Sequence, residues 1–217
     1  RQVINNSLNQ MWSEAVLEVE PYTGNVLWEW HLWDHLIQDI GSSYEAFYGV
    51  ISEHPELLDI NYGTVGGNGG PGGANGDWRH HNAISYNEEL DQIIMSSRHG
   101  DEIMIIDHST TTEEAASHSG GNSGKGGDFL YRWGNPQAYE RGSISWHNLD
   151  SQHGVNWIPE GYPGAGDLIL FNNGYTSNQS AAFQITPPID ENGNYFIEDS
   201  QPFGPLSTTW QESSSSF

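Results

Sequence analysis

The chain has 217 residues, enough for a single domain with a sizeable core. Its net charge of −23, with only six lysines and arginines, argues against nucleic acid and against anionic membrane surfaces as partners. The absence of cysteine excludes disulfides, a thiol nucleophile and cysteine-ligated metals, and no apolar run is long enough for a membrane span. The 26 glycines, 9 tryptophans and 10 tyrosines favour a turn-rich, aromatic, all-β architecture.

The N-terminal third opens with a predicted β-hairpin. Alternating apolar and polar residues predict strands at Ala15–Glu20 and Val26–His31, separated by a turn that contains Pro21 and Gly24. A helical turn or loop follows, and a short helix is expected to begin at Glu53. The glycine-rich stretch 63–76 is predicted to be a flexible loop.

A meander of short strands is predicted next, and the chain is organised around it. The strands are an apolar run from Ala83, then Gln92–Arg98, then Glu102–Asp107, with turn residues between them. A polar cluster from Asp77 to Asn82 precedes the meander.

Three polar side chains are expected to meet at one end of this meander. Because successive strand residues face opposite sides, His80 and Asn82 should share one face, with His81 pointing the other way. Arg98 closes the next strand, from which it can reach back toward His80. A histidine, an asparagine and an arginine at one strand end can form an oxyanion-binding site.

The second half of the chain continues the β pattern. One helical turn, capped by Thr112, and an insertion loop at 117–127 are expected before the next strand. A turn beginning at Asp190 should lead into a last strand, and the tail from Ser213 should be disordered. The strands predicted between these points are Asp128–Gly134, Gln152–Pro159, Gly166–Gly174 and Ala182–Ile185.

An internal repeat connects the two halves. The segment GNVLWEW at 24–30 resembles GDFLYRW at 127–133, and His80 with its following strand parallels His153 with the strand DLILFNN. One unit, about 77–133, is complete, and it has a partial unit before it and a nearly complete one after it. Small antiparallel meanders of this kind are typical of β-propeller blades, and closed propellers have about 4–8 of them. We therefore predict a partial propeller.

Several of these segments together resemble a known family. DWRHHN, SSRH, IIDHSTT, LYRWGNP, QHGVNW and GDLILFNNG occur in the order found in the arylsulfotransferase (aryl-sulfate sulfotransferase) family, over roughly Trp12 to Tyr195. The resemblance implies a six-bladed propeller, of which this single domain of residues 1–217 contains about three blades. It also implies a periplasmic or extracellular enzyme that moves a sulfuryl group from a phenolic sulfate ester to a phenol without a nucleotide donor or other cofactor.

The resemblance assigns roles to particular residues. His153 corresponds to the nucleophile that becomes sulfated, and His80 and Arg98 to the groups that bind the sulfuryl oxygens, with Asn82 assisting. The chemistry is consistent with this, because a neutral imidazole is a competent nucleophile and a planar guanidinium suits an SO3 group. Two further residues, Trp78 and Trp157, can stack on the aryl ring as substrate-binding side chains.

The chain also departs from the family. A further active-site histidine of the family lies upstream, and nothing before Trp12 supplies it; the chain also begins with Arg1, without a visible signal peptide. We therefore expect an N-terminally incomplete domain. The disulfide of some bacterial members cannot form here without cysteine.

Other interpretations of these residues remain open. His80 and His153 can be structural histidines, Arg98 one half of an ion pair, and both tryptophans core side chains. The chain can also be a non-catalytic propeller-type module that binds glycans or phenolics, or a structural protein that assembles through exposed blade edges into a homo-oligomer.

The sequence also contains candidate metal ligands. His31 and His35 have helical ligand spacing, but HLWDH lacks the glutamate base of the metalloprotease motif. Asp77 with the His80–His81 pair is a second possibility, and the turn from Asp190 lacks the full calcium-loop spacing. We predict no metal.

Overall fold

The computed structural model describes residues 10–65, 75–176 and 179–214, and over these ranges the chain is all-β as predicted. The α-helix in this part is a single turn, α1, at Thr112–Ala115. No helix among the described residues is long and apolar enough to span a membrane. Most of the predicted glycine-rich loop, residues 66–74, lies outside the described ranges. The strands are β1 Ala15–Val19, β2 Val26–His31, β3 Leu36–Ile37, β4 Leu58–Asp59, β5 His81–Asn87, β6 Gln92–Ser97, β7 Glu102–Asp107, β8 Tyr131–Trp133, β9 His153–Trp157, β10 Leu168–Thr176, β11 Gln179–Ile185 and β12 Trp210–Ser214.

The predicted N-terminal hairpin is confirmed as β1 paired with β2. Glu20 lies in the turn rather than in β1, and its carboxylate accepts the backbone N–H groups two and three residues further along the chain. On β2, Trp28 and Trp30 face inward and are buried, whereas Leu27, the residue before Trp28, is exposed. One packed face therefore produces the alternating pattern seen in the sequence.

Two short strands and several 3-10 turns follow the hairpin. β3 and β4 form a parallel pair, which the sequence did not predict. The helix expected to begin at Glu53 is wrong, because a 3-10 turn ends at this residue. Pro55 disfavours helical backbone at the residue before it, and His54 has φ −126° and ψ 62°. The 3-10 turns are Leu32–Asp34, Ile51–Glu53, Pro136–Tyr139 and Ile144–Trp146.

The predicted central meander is confirmed as a four-stranded antiparallel sheet with the order β5-β6-β7-β8. Every residue of β6 and β7 is buried. Ile94 packs into one hydrophobic core, and its neighbours Ile93 and Met95 pack into another on the opposite face. Both faces of this sheet are covered, which explains why its inner strands have continuous apolar sequences.

The second four-stranded antiparallel sheet has the order β9-β10-β11-β12. Ser213 and Ser214 belong to β12, so the predicted disorder is wrong for these two residues; residues 215–217 lie outside the described ranges. The strand expected after the Asp190 turn is also wrong. The Asp190 carboxylate accepts backbone N–H groups inside a tight turn, and one isolated bridge from Ile189 to Tyr195 closes it.

The sheets stack in layers around two main cores. One core fills the space between the β1–β2 hairpin and the central sheet, and the other lies between the central sheet and the β9–β12 sheet. The first strands of the two large sheets, β5 and β9, lie against each other. This contact brings the beginnings of two repeat units together.

The cap of the only described α-helix lies one residue earlier in the chain than predicted. Thr111, rather than Thr112, is the N-cap, and its hydroxyl accepts the backbone N–H of Glu114 while the Glu114 carboxylate accepts the N–H of Thr111. Thr112 instead accepts a hydrogen bond from the backbone N–H of Glu29 on β2. The capping box needs glutamate at the third helical position, which fixes the cap at Thr111.

Candidate functional site

His80 lies at a turn rather than in a strand, so the predicted sharing of one strand face by His80 and Asn82 is wrong. β5 begins at His81, and His80 has φ 52°, in the left-handed region. Its carbonyl still accepts the backbone N–H of Arg98 at 3.1 Å. The His80 backbone therefore still pairs with the neighbouring strand. Its side chain, however, does not follow the alternating directions of the strand residues.

The His80 ring is held from one side by a carboxylate. Its Nδ1 lies 2.5 Å from Asp77 Oδ2, and 45% of its side chain is exposed. His99 stacks on it, with ring centroids 5.0 Å apart. Burial, together with nearby His80 and Arg98, lowers the pKa of His99 despite the opposing effect of Asp77. This arrangement fixes the orientation of the His80 ring and leaves Nε2 without a partner among the described residues.

Arg98 is partly buried and adjoins His80 through the backbone hydrogen bond described above. Within the described residues its guanidinium has no salt bridge, so the described contacts do not support the plain ion pair considered from the sequence. Among the described arginines, only Arg132 forms a salt bridge with a carboxylate. The Arg98 guanidinium retains its full capacity to bind an anion.

His153 is the first residue of β9, and its ring is held through Nδ1. This atom lies 3.0 Å from the carbonyl oxygen of Ser151 and 2.8 Å from the side-chain nitrogen of Asn173. In the tautomer that donates Nδ1–H to the carbonyl, Nε2 carries the lone pair. The Asn173 amide nitrogen can only donate, so its contact instead needs a lone pair on Nδ1 and a hydrogen on Nε2. In either tautomer Nε2 has no hydrogen-bonding partner among the described residues, which leaves it free to contact a substrate.

Asn82 and His153 come together because β5 lies against β9. The Asn82 amide donates to the carbonyl oxygen of Gln152 at 2.8 Å, one residue before His153. Gln152 is fully buried, and its own amide donates to Ser96 Oγ and to the carbonyl oxygens of Ser97 and Glu102. The start of β9 is therefore fixed to the central sheet, which the sequence alone did not indicate.

The two tryptophans proposed to bind substrate occupy different environments. Trp78 is 1% exposed, and the Arg79 guanidinium lies 4.3 Å from its ring centroid. Trp78 is therefore a core residue that supports the site from below the surface. Trp157 is partly buried at the far end of β9. Four residues of strand separate it from His153 by about 13 Å.

A cavity of about 350 Å³ lies between β1 and β5, and its lining includes residues that the sequence analysis missed. Glu14 and His81 line it together with Asn82, and Val16, Ile84 and Met95 supply apolar walls. The atoms Glu14 Oε2, His81 Nε2 and Asn82 Oδ1 are buried without a hydrogen-bonding partner among the described residues. The cavity thus combines apolar walls with polar atoms that can still form hydrogen bonds.

Burial favours the neutral forms of the two titratable groups in this cavity. It lowers the pKa of His81 to about 4, and nearby Arg79 and His80 act in the same direction. Burial also raises the pKa of the Glu14 carboxyl, although the nearby backbone of Glu14 and of His80 acts in the opposite direction. Glu14, His80 and Gln152 each immediately precede the first strand of a repeat unit. The repeat was therefore the signal that could have identified Glu14.

Comparison with known proteins identifies the family of the chain. No curated protein matches the chain at a significant level. The model of the Arylsulfotransferase (ASST) family matches residues 2–195 of the 217, a span that includes every residue of the site described above. The chain belongs to the arylsulfotransferase family.

Proposed function

We propose that this protein is an aryl-sulfate sulfotransferase that moves a sulfuryl group from a phenolic sulfate ester to a phenol through a sulfated His153. The observation that carries the proposal is the arrangement of two imidazole rings, His80 and His153. Each ring is held by contacts of its Nδ1, and its Nε2 has no hydrogen-bonding partner among the described residues. Family membership supports sulfotransferase chemistry over a non-catalytic binding module.

In the first step, Nε2 of His153 attacks the sulfur of the donor ester. The bond between sulfur and the aryl oxygen breaks, its electron pair goes to that oxygen, and His80 as an imidazolium supplies the proton of the leaving phenol. Asp77 stabilises this imidazolium through Nδ1. Arg98 and Asn82 act on the sulfuryl oxygens, where charge is spread in the transition state.

In the second step, an acceptor phenol takes the sulfuryl group from His153. Neutral His80 removes the phenolic proton, the phenol oxygen attacks sulfur, and the bond between sulfur and Nε2 breaks with its electron pair returning to the imidazole. The donor phenol leaves before the acceptor reacts, so the kinetics are ping-pong.

The cavity between β1 and β5 is the proposed site of the aryl group. Its apolar walls suit an aromatic ring, and Asn82 belongs both to this cavity and to the contact with the residue before His153. These two contacts of Asn82 support binding of the aryl ring in this cavity. Trp157, about 13 Å along the strand, contacts only the far end of an extended substrate.

The fold and setting of the enzyme complete the proposal. The two large sheets follow chain order from their adjacent first strands outward, and this supports consecutive blades of a partial propeller.

The outward face of the hairpin exposes Leu17 and Leu27, which supports self-association in a chain of about three blades. We place the enzyme in the periplasm or outside the cell, where family members act.

The test is release of the phenol from 4-nitrophenyl sulfate in the presence of a second phenol. We expect Arg98→Ala to lower kcat/KM by roughly 10²–10³-fold, the range for loss of one preorganised transition-state donor. Arg98→Lys, the matched control, keeps the positive charge but cannot form the bidentate hydrogen bonds of a guanidinium, so it should recover only part of the activity. His54→Ala removes a histidine of a different segment and should leave the rate unchanged. Equal rates for wild type and Arg98→Ala would contradict the proposal.

A further inference from the structure

A second cluster of ionisable side chains lies outside the site described above. His35, His118 and Asp128 come from distant parts of the sequence, and their potential ligand atoms lie within 4.8 Å of one another. Nδ1 of His35 and Nδ1 of His118 each lie 2.8 Å from the same carboxylate oxygen, Asp128 Oδ1. His35 is fully buried and Asp128 is 5% exposed.

The outer contacts of His35 determine where its proton lies. Its Nε2 is 2.8 Å from the carbonyl oxygen of Ala115, which can only accept, so Nε2 carries a hydrogen. A neutral imidazole has one N–H, and Nδ1 then presents its lone pair to the Asp128 carboxylate at 2.8 Å. Two acceptors at this distance require either a shared proton, carried by His35 or by Asp128, or a metal ion between them.

His118 has the same arrangement on the exposed side of the cluster. Its Nε2 lies 3.1 Å from the hydroxyl oxygen of Tyr48, which can accept from an Nε2–H. In that tautomer, Nδ1 of His118 also offers a lone pair toward Asp128. Two imidazole nitrogens and one carboxylate oxygen thus converge, and each ring is oriented by a contact on its other nitrogen, as is usual for metal-binding histidines.

The surrounding chain is built to hold these groups together. The His35 ring stacks parallel to Trp30 at a centroid distance of 5.3 Å, and the Trp30 indole donates to the carbonyl oxygen of Gly127 at 2.7 Å. A Cβ atom on Gly127 would lie 2.1 Å from the Ala115 oxygen and 2.6 Å from His35 Nε2. Only glycine therefore lets the loop that carries His118 and Asp128 approach His35 this closely.

We propose that His35, His118 and Asp128 bind a divalent transition metal ion of the zinc class. Nitrogen and carboxylate ligands suit zinc, and a tetrahedral ion with bonds of about 2.0–2.1 Å needs only a modest widening of the present separations. The fourth position faces solvent, because the His118 side chain is 40% exposed. The ion joins the 117–127 loop to the segment that follows the hairpin.

This site differs from the helical His31 and His35 pair considered from the sequence. His31 is an exposed end residue of β2 whose Nε2 lies 3.4 Å from a carboxylate oxygen of Glu29. The chain continues into a 3-10 turn rather than an α-helix, so the four-residue spacing does not place the two rings on one face. The true partner of His35 lies 83 positions away, beyond the reach of a spacing argument.

The experiment is titration of chelator-treated full-length protein with Zn²⁺, followed by calorimetry and by thermal unfolding. His118→Ala changes an exposed ligand, so it should fold, and Asp128→Asn is the second variant, checked by circular dichroism. His31→Ala is the matched histidine control. His99→Ala removes the other described cluster that can bind a metal, Asp77, His80 and His99.

We expect one zinc ion to bind and to raise the unfolding temperature of the wild type and of both control variants. His118→Ala and Asp128→Asn should weaken this binding by at least about tenfold. Absence of zinc binding by the wild type would overturn the proposal and assign the contact to a proton shared by His35 and Asp128. Unchanged binding by both ligand variants would overturn it as well.

Discussion

At the scale of single residues, burial favours the uncharged forms of two side chains at the site, His81 and Glu14. The burial that lowers the pKa of His81 to about 4 and raises that of Glu14 keeps the cavity between β1 and β5 compatible with an aromatic ring. Arg98 provides the positive charge where the sulfuryl oxygens are expected. In the proposed function, this very acidic chain contains a local site for an anionic ester.

The pKa of His81 predicts how stability depends on pH. In the unfolded chain His81 titrates near 6.5, and in the fold near 4, so between these values only the unfolded state binds the proton. Stability is therefore lost as the pH falls from about 6.5 to about 4, by an amount on the order of 3 kcal/mol from this residue.

Urea denaturation of wild type and His81→Gln at pH 7 and pH 4.5 measures this effect. Glutamine has no ionisation in this range, so the difference in unfolding free energy between the two proteins should shrink or reverse at pH 4.5. The matched variant His54→Gln changes a partly exposed histidine and should track the wild type at both values. A difference between wild type and His81→Gln that does not change with pH would show that His81 is not buried in its neutral form.

At this scale, the sequence predicted candidate residues better than their surroundings. His80, Arg98 and His153 were identified as candidates from motifs, and whether they carry out catalysis remains a prediction. The left-handed backbone at His80 was not predicted, because no sequence pattern separates that conformation from a strand start. The contacts of Asn82 with Gln152 and of His35 with Asp128 join residues 70 and 93 positions apart, and short spacings carry no information about them.

Among the elements, β7 and β8 are joined by a fully buried ion pair. The Arg132 guanidinium binds Glu102 through two hydrogen bonds of 3.1 and 2.8 Å, and both side chains are 0% exposed. The same guanidinium donates to the carbonyl oxygens of Pro55 and Leu57, next to β4. One side chain thus ties the central sheet to the short parallel pair.

Removal of one partner of this pair should be strongly destabilising. We expect Arg132→Met to lower the unfolding free energy by about 3–5 kcal/mol, because it leaves the Glu102 carboxylate buried without its counterion. Chemical denaturation measures the loss. Combining Arg132→Met with Glu102→Leu should restore part of it, and the matched control Arg141→Met, which has no carboxylate partner in the described structure, should cost less. A loss below 1 kcal/mol for Arg132→Met would refute the predicted role.

The elements that the sequence predicted correctly are those with local signals. Alternation identified the first hairpin, and continuous apolar runs between turn residues identified the central meander. β3, β4 and β12 have little signal of their own, since their pairing partners lie far away along the chain. β12 consists largely of serine and polar residues, and it is a strand because β11 offers an open edge.

In the whole molecule, three layers place the starts of repeat units side by side. β5 contacts β9, and β1 faces β5 across the cavity, so Glu14, His80 and Gln152 lie at the same ends of their units. The predicted repeat is thereby reflected in two sequentially ordered four-stranded sheets. Closure into a larger propeller remains a prediction.

The central claim is that His153 becomes covalently sulfated, and intact mass spectrometry tests it most directly. The protein is mixed briefly with 4-nitrophenyl sulfate without acceptor, and the adduct is located by peptide mapping beside His153→Ala and the control His147→Ala. We predict a mass gain of one sulfuryl group at His153 in wild type and control, absent from His153→Ala and lost on addition of phenol. A folded wild type that gains no such mass, or an adduct that persists in His153→Ala, would contradict the account.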